Sequence, residues 1–168
     1  YLDDSNILSG FMSEKMKSAR LKMLNGEKIE ACSRCYINED AGIKSARQFY
    51  NEKFQKDTDE VLRLNSIESN EIISLDLRFD KTCNFMCRTC NPEYSSSIEN
   101  EQVRLKIIEK KQKPLTPSLK KIISDIDIKK IQRIYFAGGE PLLSVDHYWF
   151  LKELILLKKT DIELVYTT

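Results

Sequence analysis

Three cysteines, Cys83, Cys87 and Cys90, form a C-x3-C-x2-C array just after a short alternating run that ends at Phe79. No other stretch is as dense in reactive side chains, and the fold must present this loop at the end of a strand. Thiolates are soft ligands suited to iron–sulfur clusters and zinc. Gaps of three and two residues let one loop wrap a compact metal centre. Three ligands rather than four is the informative feature, because a structural zinc site is closed by four. A [4Fe–4S] cubane held by three cysteines leaves one iron open to another ligand. Zinc sites usually work in C-x2-C pairs, and the bacterial ferredoxin run differs again. The competing readings are a zinc site whose fourth ligand comes from elsewhere and three unrelated buried thiols. The single histidine, His147, is distant in sequence and falls in the first turn of an expected helix, where it reads as solvated.

A second motif follows an expected buried strand at residues 131–136: Ala137-Gly138-Gly139-Glu140-Pro141. Two glycines permit a tight turn or a close backbone approach. Glu140 then stands at a strand's C-terminal end, where α/β proteins place ligand groups. Alone this is a turn, and it is no phosphate loop, because no Gly-Lys-Ser/Thr follows.

Around these motifs the pattern reads β-αα-β-α-β, which predicts an α/β fold with right-handed crossovers and parallel strands. In residues 72–79, Ile73, Leu75, Leu77 and Phe79 point one way, while Ser74, Asp76, Arg78 and Asp80 point the other. A fully buried parallel strand is apolar on both faces, so the charged face suggests a polar lumen. Asp76 and Arg78 are expected to pair with charges such as Arg133 or Glu163 on neighbouring strands. A helix is expected at about 97–111. Another opens at Thr116-Pro117, with Leu119, Ile122, Ile123 and Ile126 in helical spacing. Ser144 is placed to cap a helix running to about residue 159, with Asp146 near its N-terminus and Trp149, Leu151, Leu154 and Ile155 on an apolar side. A third strand covers 162–166, and Thr167 and Thr168 fall at its ligand-bearing end.

Before residue 71, Ser13 caps a helix whose Met12, Met16, Ala19 and Met23 share one face and are expected in a core. Cys32-x2-Cys35 is half a metal site. A redox dithiol would expect a preceding strand, and two packed thiols is the plain alternative. Residues 45–54 read as a helix with Ala46, Phe49, Tyr50 and Phe54 on one face. Residues 57–70 read as a charged linker with one helical turn near 61–64.

Charged residues make up 32% and nearly cancel to a net +1, so no basic field points to nucleic acid. No apolar run reaches membrane-spanning length, and no secretory leader is expected. Five cysteines, clustered and odd in number, argue against a disulfide framework and for a reducing, cytoplasmic compartment. The first residue is Tyr1 rather than Met, and the last, Thr168, follows a strand, which reads as a fragment cut at both ends.

Taken together, residues 72–168 resemble the radical S-adenosylmethionine (radical SAM) enzymes. The resemblance implies that Cys83, Cys87 and Cys90 hold a [4Fe–4S] cluster and that Gly138, Gly139 and Glu140 hold the amino group of S-adenosylmethionine. It implies the first part of a (β/α)6 barrel over residues 71–168. The implied reaction is reductive cleavage of S-adenosylmethionine to a 5′-deoxyadenosyl radical that abstracts hydrogen from a substrate, with a flavodoxin or ferredoxin as electron donor. One departure stands out: the residue before the third cysteine is commonly aromatic in that family and is Thr89 here. Residues 6–42 look like the end of the auxiliary-cluster modules called SPASM or twitch. That likeness implies that Cys32 and Cys35 ligate an auxiliary cluster or zinc, and it makes a peptide the first candidate substrate. Such a module normally follows the barrel; here it precedes it. The expected organisation is an auxiliary segment at 1–56, a linker at 57–70 and a radical SAM core at 71–168. The rival reading is a non-catalytic zinc-stabilised or iron–sulfur electron-transfer module. No residue is assigned to catalysis, and no nucleic acid or membrane partner is expected.

Overall fold

The computed structural model describes residues 7–109 and 126–168. In chain order the elements are α1 (Ile7–Phe11), α2 (Glu14–Leu24), α3 (Ser33–Asp40), α4 (Ala46–Lys53), α5 (Gln55–Leu64), β1 (Ser74–Leu77), α6 (Ser96–Arg104), β2 (Arg133–Phe136), α7 (Val145–Leu156) and β3 (Glu163–Tyr166). Single 3-10 turns occupy Glu30–Cys32, Ile128–Lys130 and Pro141–Leu143. The chain forms two units, residues 8–70 and, with Ile7, residues 71–168.

In the second unit the period-two pattern becomes a parallel sheet in the order β1-β2-β3. Leu75, Ile134 and Leu164 are register partners, as are Leu77, Phe136 and Tyr166. These two rows share one face because strand side chains alternate. α7 lays Phe150 and Leu154 on that face, and Ile128 and Ile131 complete the core. Ile131, Ile134 and Phe136 are fully buried, each stabilising the fold by roughly 1.5–3 kcal/mol relative to exposure. The mixed helix and three-stranded parallel sheet is an α/β arrangement. The helix expected from Thr116-Pro117 lies outside the described residues, except that Ile126 packs against the core.

The opposite face is polar, as the alternation requires, but its charges pair differently from expectation. Arg78 Nη2 donates to Asp76 at 3.3 Å, and Arg133 Nε pairs with Glu163 at 3.3 Å. Asp76 and Arg78 are two apart on one extended segment and so share a side, while Arg133 and Glu163 are register partners on β2 and β3.

His147 overturns its sequence reading. It is 1% exposed rather than solvated. Its Nε2 meets the Tyr166 hydroxyl at 2.9 Å, and the rings of Phe136, Tyr148 and Tyr166 lie at centroid distances of 5.0, 5.1 and 5.4 Å. α7 is apolar nearly all round, so periodicity alone does not select its inner face. The sheet selects His147, Phe150 and Leu154, leaving Ile155 65% exposed.

Burial lowers the His147 pKa below the ordinary 6.5, because an imidazolium inside this aromatic cage loses its hydration. A base held below its unfolded-state pKa contributes stability that is complete above about pH 6.5 and is lost as pH falls through and below that value. Urea midpoints are therefore expected to drop between neutral and mildly acidic pH, and His147→Phe to flatten that slope. An unchanged slope in the variant would show that other groups govern it.

In the unit of residues 8–70, Ser13 caps α2 as expected, accepting from the Met16 N–H at 3.4 Å. The methionine stripe is not core: Met16 and Met23 are each 41% exposed. Arg20 donates to the Phe11 carbonyl at 2.7 Å and to the Ile67 carbonyl at 3.3 Å, with its guanidinium 4.0 Å over the Phe11 ring. Ser45 and Gln48 form a reciprocal capping box on α4. Ser45 Oγ also donates to Glu39, which Arg47 grips with two nitrogens. That grip, and the Ser45 hydroxyl after it, hold the Glu39 carboxyl below its usual range. The first part of the expected linker at 57–70, with one helical turn expected near 61–64, belongs to the helix α5. Polar pairs at helical spacing, Gln55 with Asp59 and Glu60 with Arg63, add to it. No helix among the described residues is long and apolar enough to cross a membrane.

Candidate metal centre

The cysteine loop begins where β1 ends, and two devices fix its entry. The first is backbone pairing. Ala137 N–H donates to the Leu77 carbonyl at 3.0 Å, Gly139 N–H to the Asp80 carbonyl at 3.2 Å, and Glu140 N–H to the Thr82 carbonyl at 2.7 Å. The Gly138-Gly139-Glu140 turn is thus laced to Asp80 and Thr82, two of the three residues that precede Cys83. A Cβ on Gly139 would sit 2.2 Å from the Thr82 carbonyl oxygen. One on Gly138 would sit 2.9 Å from the Asp80 carbonyl oxygen, and φ there is +116°. Gly138 answers a conformational demand and a spatial one; Gly139 answers the spatial one alone.

The second device is the Asp80 carboxylate. It accepts from the Thr82 N–H at 2.6 Å and from the Ser144 hydroxyl at 2.7 Å. Ser144, expected to cap α7, directs its hydroxyl to Asp80, and α7 begins without a side-chain cap.

The far side of the loop is held by α6. Ser95 Oγ accepts from the Ile98 N–H at 3.3 Å, capping the helix, and donates to the Phe85 carbonyl at 3.2 Å. Ser96 Oγ accepts from the Cys83 N–H at 3.0 Å, and Ser97 Oγ donates to the Cys83 carbonyl at 2.6 Å. One turn on, Glu99 is 2% exposed and pairs with Lys81 at 2.6 Å. Sequence reasoning missed this clamp. Its signal is three consecutive serines where a helix start needs one cap.

All five cysteines are free thiols. Cys87 is exposed, while Cys83 and Cys90 are partly buried. Cys90 N–H closes a turn on the Cys87 carbonyl at 3.0 Å. Phe85 N–H points at Cys83 Sγ at 3.4 Å, and the Cys90 sulfur rests 3.8 Å from the Asn91 carbonyl. Among the described residues no three Cys, His, Asp or Glu side chains converge as a ready ligand set. In kind the donors fit a soft metal centre, being three reachable free thiols on one anchored loop with an amide directed at a sulfur.

Glu140 is 7% exposed, and its Oε1 accepts from the Leu142 N–H at 3.2 Å, capping the turn Pro141–Leu143. Beside it Phe79, Asp80, Gly139, Glu140 and Ser144 line a shallow groove that encloses no volume of its own. Enclosed ligand pockets run to roughly 300–1,000 Å³, so this groove alone does not surround a nucleoside. Thr89 is exposed. Thr167 extends the sheet, its N–H donating to the Phe136 carbonyl at 3.0 Å. In the unit of residues 8–70, Cys32 ends the turn Glu30–Cys32 and Cys35 lies one helical turn on in α3, both partly buried.

The second unit is thus a parallel α/β unit with a thiol loop following its first strand. Residues 74–167 match the family model described as 4Fe-4S single cluster domain. That match covers more than half of the chain, and the chain belongs to this family. No curated protein matches it, nor does any solved structure.

Proposed function

We propose that this chain is the iron–sulfur portion of a radical SAM enzyme, with Cys83, Cys87 and Cys90 as cluster ligands and Gly138, Gly139 and Glu140 beside the methionine amino group. The observation that carries the reading is the lacing of the Gly-Gly-Glu turn to residues 80 and 82, which keeps the backbone of Glu140 beside Thr82, the residue before the first cysteine. The family is one found in radical SAM proteins of the SPASM/twitch type, which supports it further. When bound, the cluster supplies the electron that cleaves S-adenosylmethionine reductively. The chain's own residues do the positioning. Ser96 and Ser97 hold the Cys83 backbone, and Asp80 holds the loop to the start of α7. Gly139 lets loop and turn approach. Cys32 and Cys35 are half of a second metal site, in a unit where Ser45 is the one fully buried side chain among the described residues. Small units with so little core commonly rely on a metal or disulfide staple. A peptide substrate, a flavodoxin-like or ferredoxin-like reductant and a cytoplasmic setting complete the proposal.

One observation favours the rival electron-transfer module: the Glu140 carboxylate is already engaged as a turn cap. Anaerobic reconstitution separates the two. With a strong reductant and S-adenosylmethionine, the enzyme yields methionine and 5′-deoxyadenosine, whereas the electron-transfer module shows cluster absorbance and no cleavage. Cys87→Ala is expected to remove cleavage to background, while Cys32→Ala leaves the substrate-free reaction largely intact. Equal loss in both would count against two separate sites.

A further inference from the structure

We infer that Arg78 is the carboxylate anchor of this site, a role that rests on the functional reading just given. The arginine follows the last residue of β1 and stands between the two motifs. Its Cα and Cβ lie 3.5 and 3.4 Å from where a Cβ on Gly138 would be. Its guanidinium lies 5.4 Å over the ring of Tyr94, which follows the third cysteine in the chain. The guanidinium therefore lies beside the segment that follows the cysteines and its stem beside the Gly-Gly turn.

Among the described residues most of the donor capacity is open. The contact to Asp76, at 3.3 Å, uses Nη2 alone, and the two side chains are 41% and 52% exposed. Ion pairs this exposed contribute about 0–1 kcal/mol, too little to hold an arginine against a better partner. A carboxylate ligand can take two parallel N–H donors at once, the geometry a guanidinium matches best. The contact with the Tyr94 ring holds the group in place in advance, which reduces the ordering cost on binding. The carboxylates of Asp76 and Asp80 stand nearby in sequence on the same segment, which favours a singly charged carboxylate over a dianionic phosphate. Ligands at the C-terminal ends of parallel strands are the general rule for such sheets.

Two sources carry this chemistry: the carboxylate of S-adenosylmethionine and a carboxylate of the substrate. Binding to the cluster-loaded protein, measured anaerobically by calorimetry, distinguishes them. The probes are S-adenosylmethionine, its decarboxylated analogue, and an acidic pentapeptide with its amidated counterpart. Losing a charge-assisted bidentate contact is expected to weaken binding roughly 10- to 100-fold. If Arg78→Gln weakens S-adenosylmethionine by that factor and leaves the decarboxylated analogue unchanged, the anchored group is the cofactor's. If it spares S-adenosylmethionine and weakens the acidic peptide but not the amide, the group is the substrate's. Arg78→Lys, which keeps charge and loses the fork, should recover only part of either loss. Unchanged binding of every probe overturns the inference, and so does equal weakening of S-adenosylmethionine and its decarboxylated analogue. Wild-type protein that cleaves no S-adenosylmethionine fails the underlying reading instead, and the peptide arm then decides Arg78 alone. Both side chains keep the Cβ beside Gly138, so unfolding midpoints are expected to stay at the wild-type value.

Discussion

Gly139→Ala is expected to destabilise the sheet unit by about 3–5 kcal/mol, combining overpacking with the loss of two backbone hydrogen bonds. The added carbon would lie 2.2 Å from the Thr82 carbonyl oxygen and 2.7 Å from the Lys81 carbonyl carbon. Both neighbours are backbone, so no side chain can rotate away. Relief requires the turn and the loop to part, which breaks the bonds from Gly139 to Asp80 and from Glu140 to Thr82. Urea unfolding monitored at the aromatic residues measures the cost. Gly26 is the control. It has φ +74° and nothing within 4 Å of a built Cβ, so Gly26→Ala should cost only the left-handed strain, about 1–2 kcal/mol. If the two variants lose equal stability, the close approach of turn and loop is not what Gly139 provides. The same variant should also lose iron on reconstitution, because parting the turn from the loop frees the residues that lead into Cys83.

Glu99→Ala is the second large effect, about 3–5 kcal/mol, the usual result of removing one partner from a buried ion pair. Glu99 is 2% and Lys81 16% exposed at the side chain, with 2.6 Å between the charged atoms. The variant leaves a largely buried ammonium in place two residues before Cys83. Replacing both partners by apolar residues, Lys81→Met with Glu99→Leu, should recover much of the loss, since it removes the buried charge as well as the attraction. A double-mutant cycle on chemical unfolding reads the coupling. A loss below about 1 kcal/mol for the single variant would class the pair with exposed ones and remove it from the set of groups that hold the loop. Loop order has its own readout: faster alkylation of Cys83 in Glu99→Ala than in wild type, with Cys32 as internal reference.

Much of the sheet unit is written in local pattern. Alternation at residues 72–79 and the apolar run at 131–136 locate β1 and β2, and their parallel pairing follows from the helices between strands. The strands are shorter than the alternation suggests. β1 spans Ser74–Leu77 because β2 offers paired residues only over Arg133–Phe136. Phe79 still packs on Phe136, with ring centroids 5.5 Å apart, but beyond the paired segment. The capping of α2 by Ser13 was equally readable, because a cap is a contact across three residues. The inner face of α7 was not, since a helix apolar on most sides has no period to read. His147 is buried by its neighbours on the sheet, and nothing within its own turn announces that.

The same division holds at the candidate site. Spacing alone set the number of thiols, their order along one loop, and the presence of a glycine-flanked acid after the second strand. It also set which residues alternate toward the polar side of the sheet. What folding alone decided is which groups meet across long gaps: Lys81 with Glu99, Asp80 with Ser144, and Gly139 with the backbone at 80 and 82. The reason is physical. Nearly every residue carries the same N–H and C=O, and serine hydroxyls bond whatever lies near them. The identity of a residue says what it can bond, and only the packing of strands against helices says which partner comes within reach.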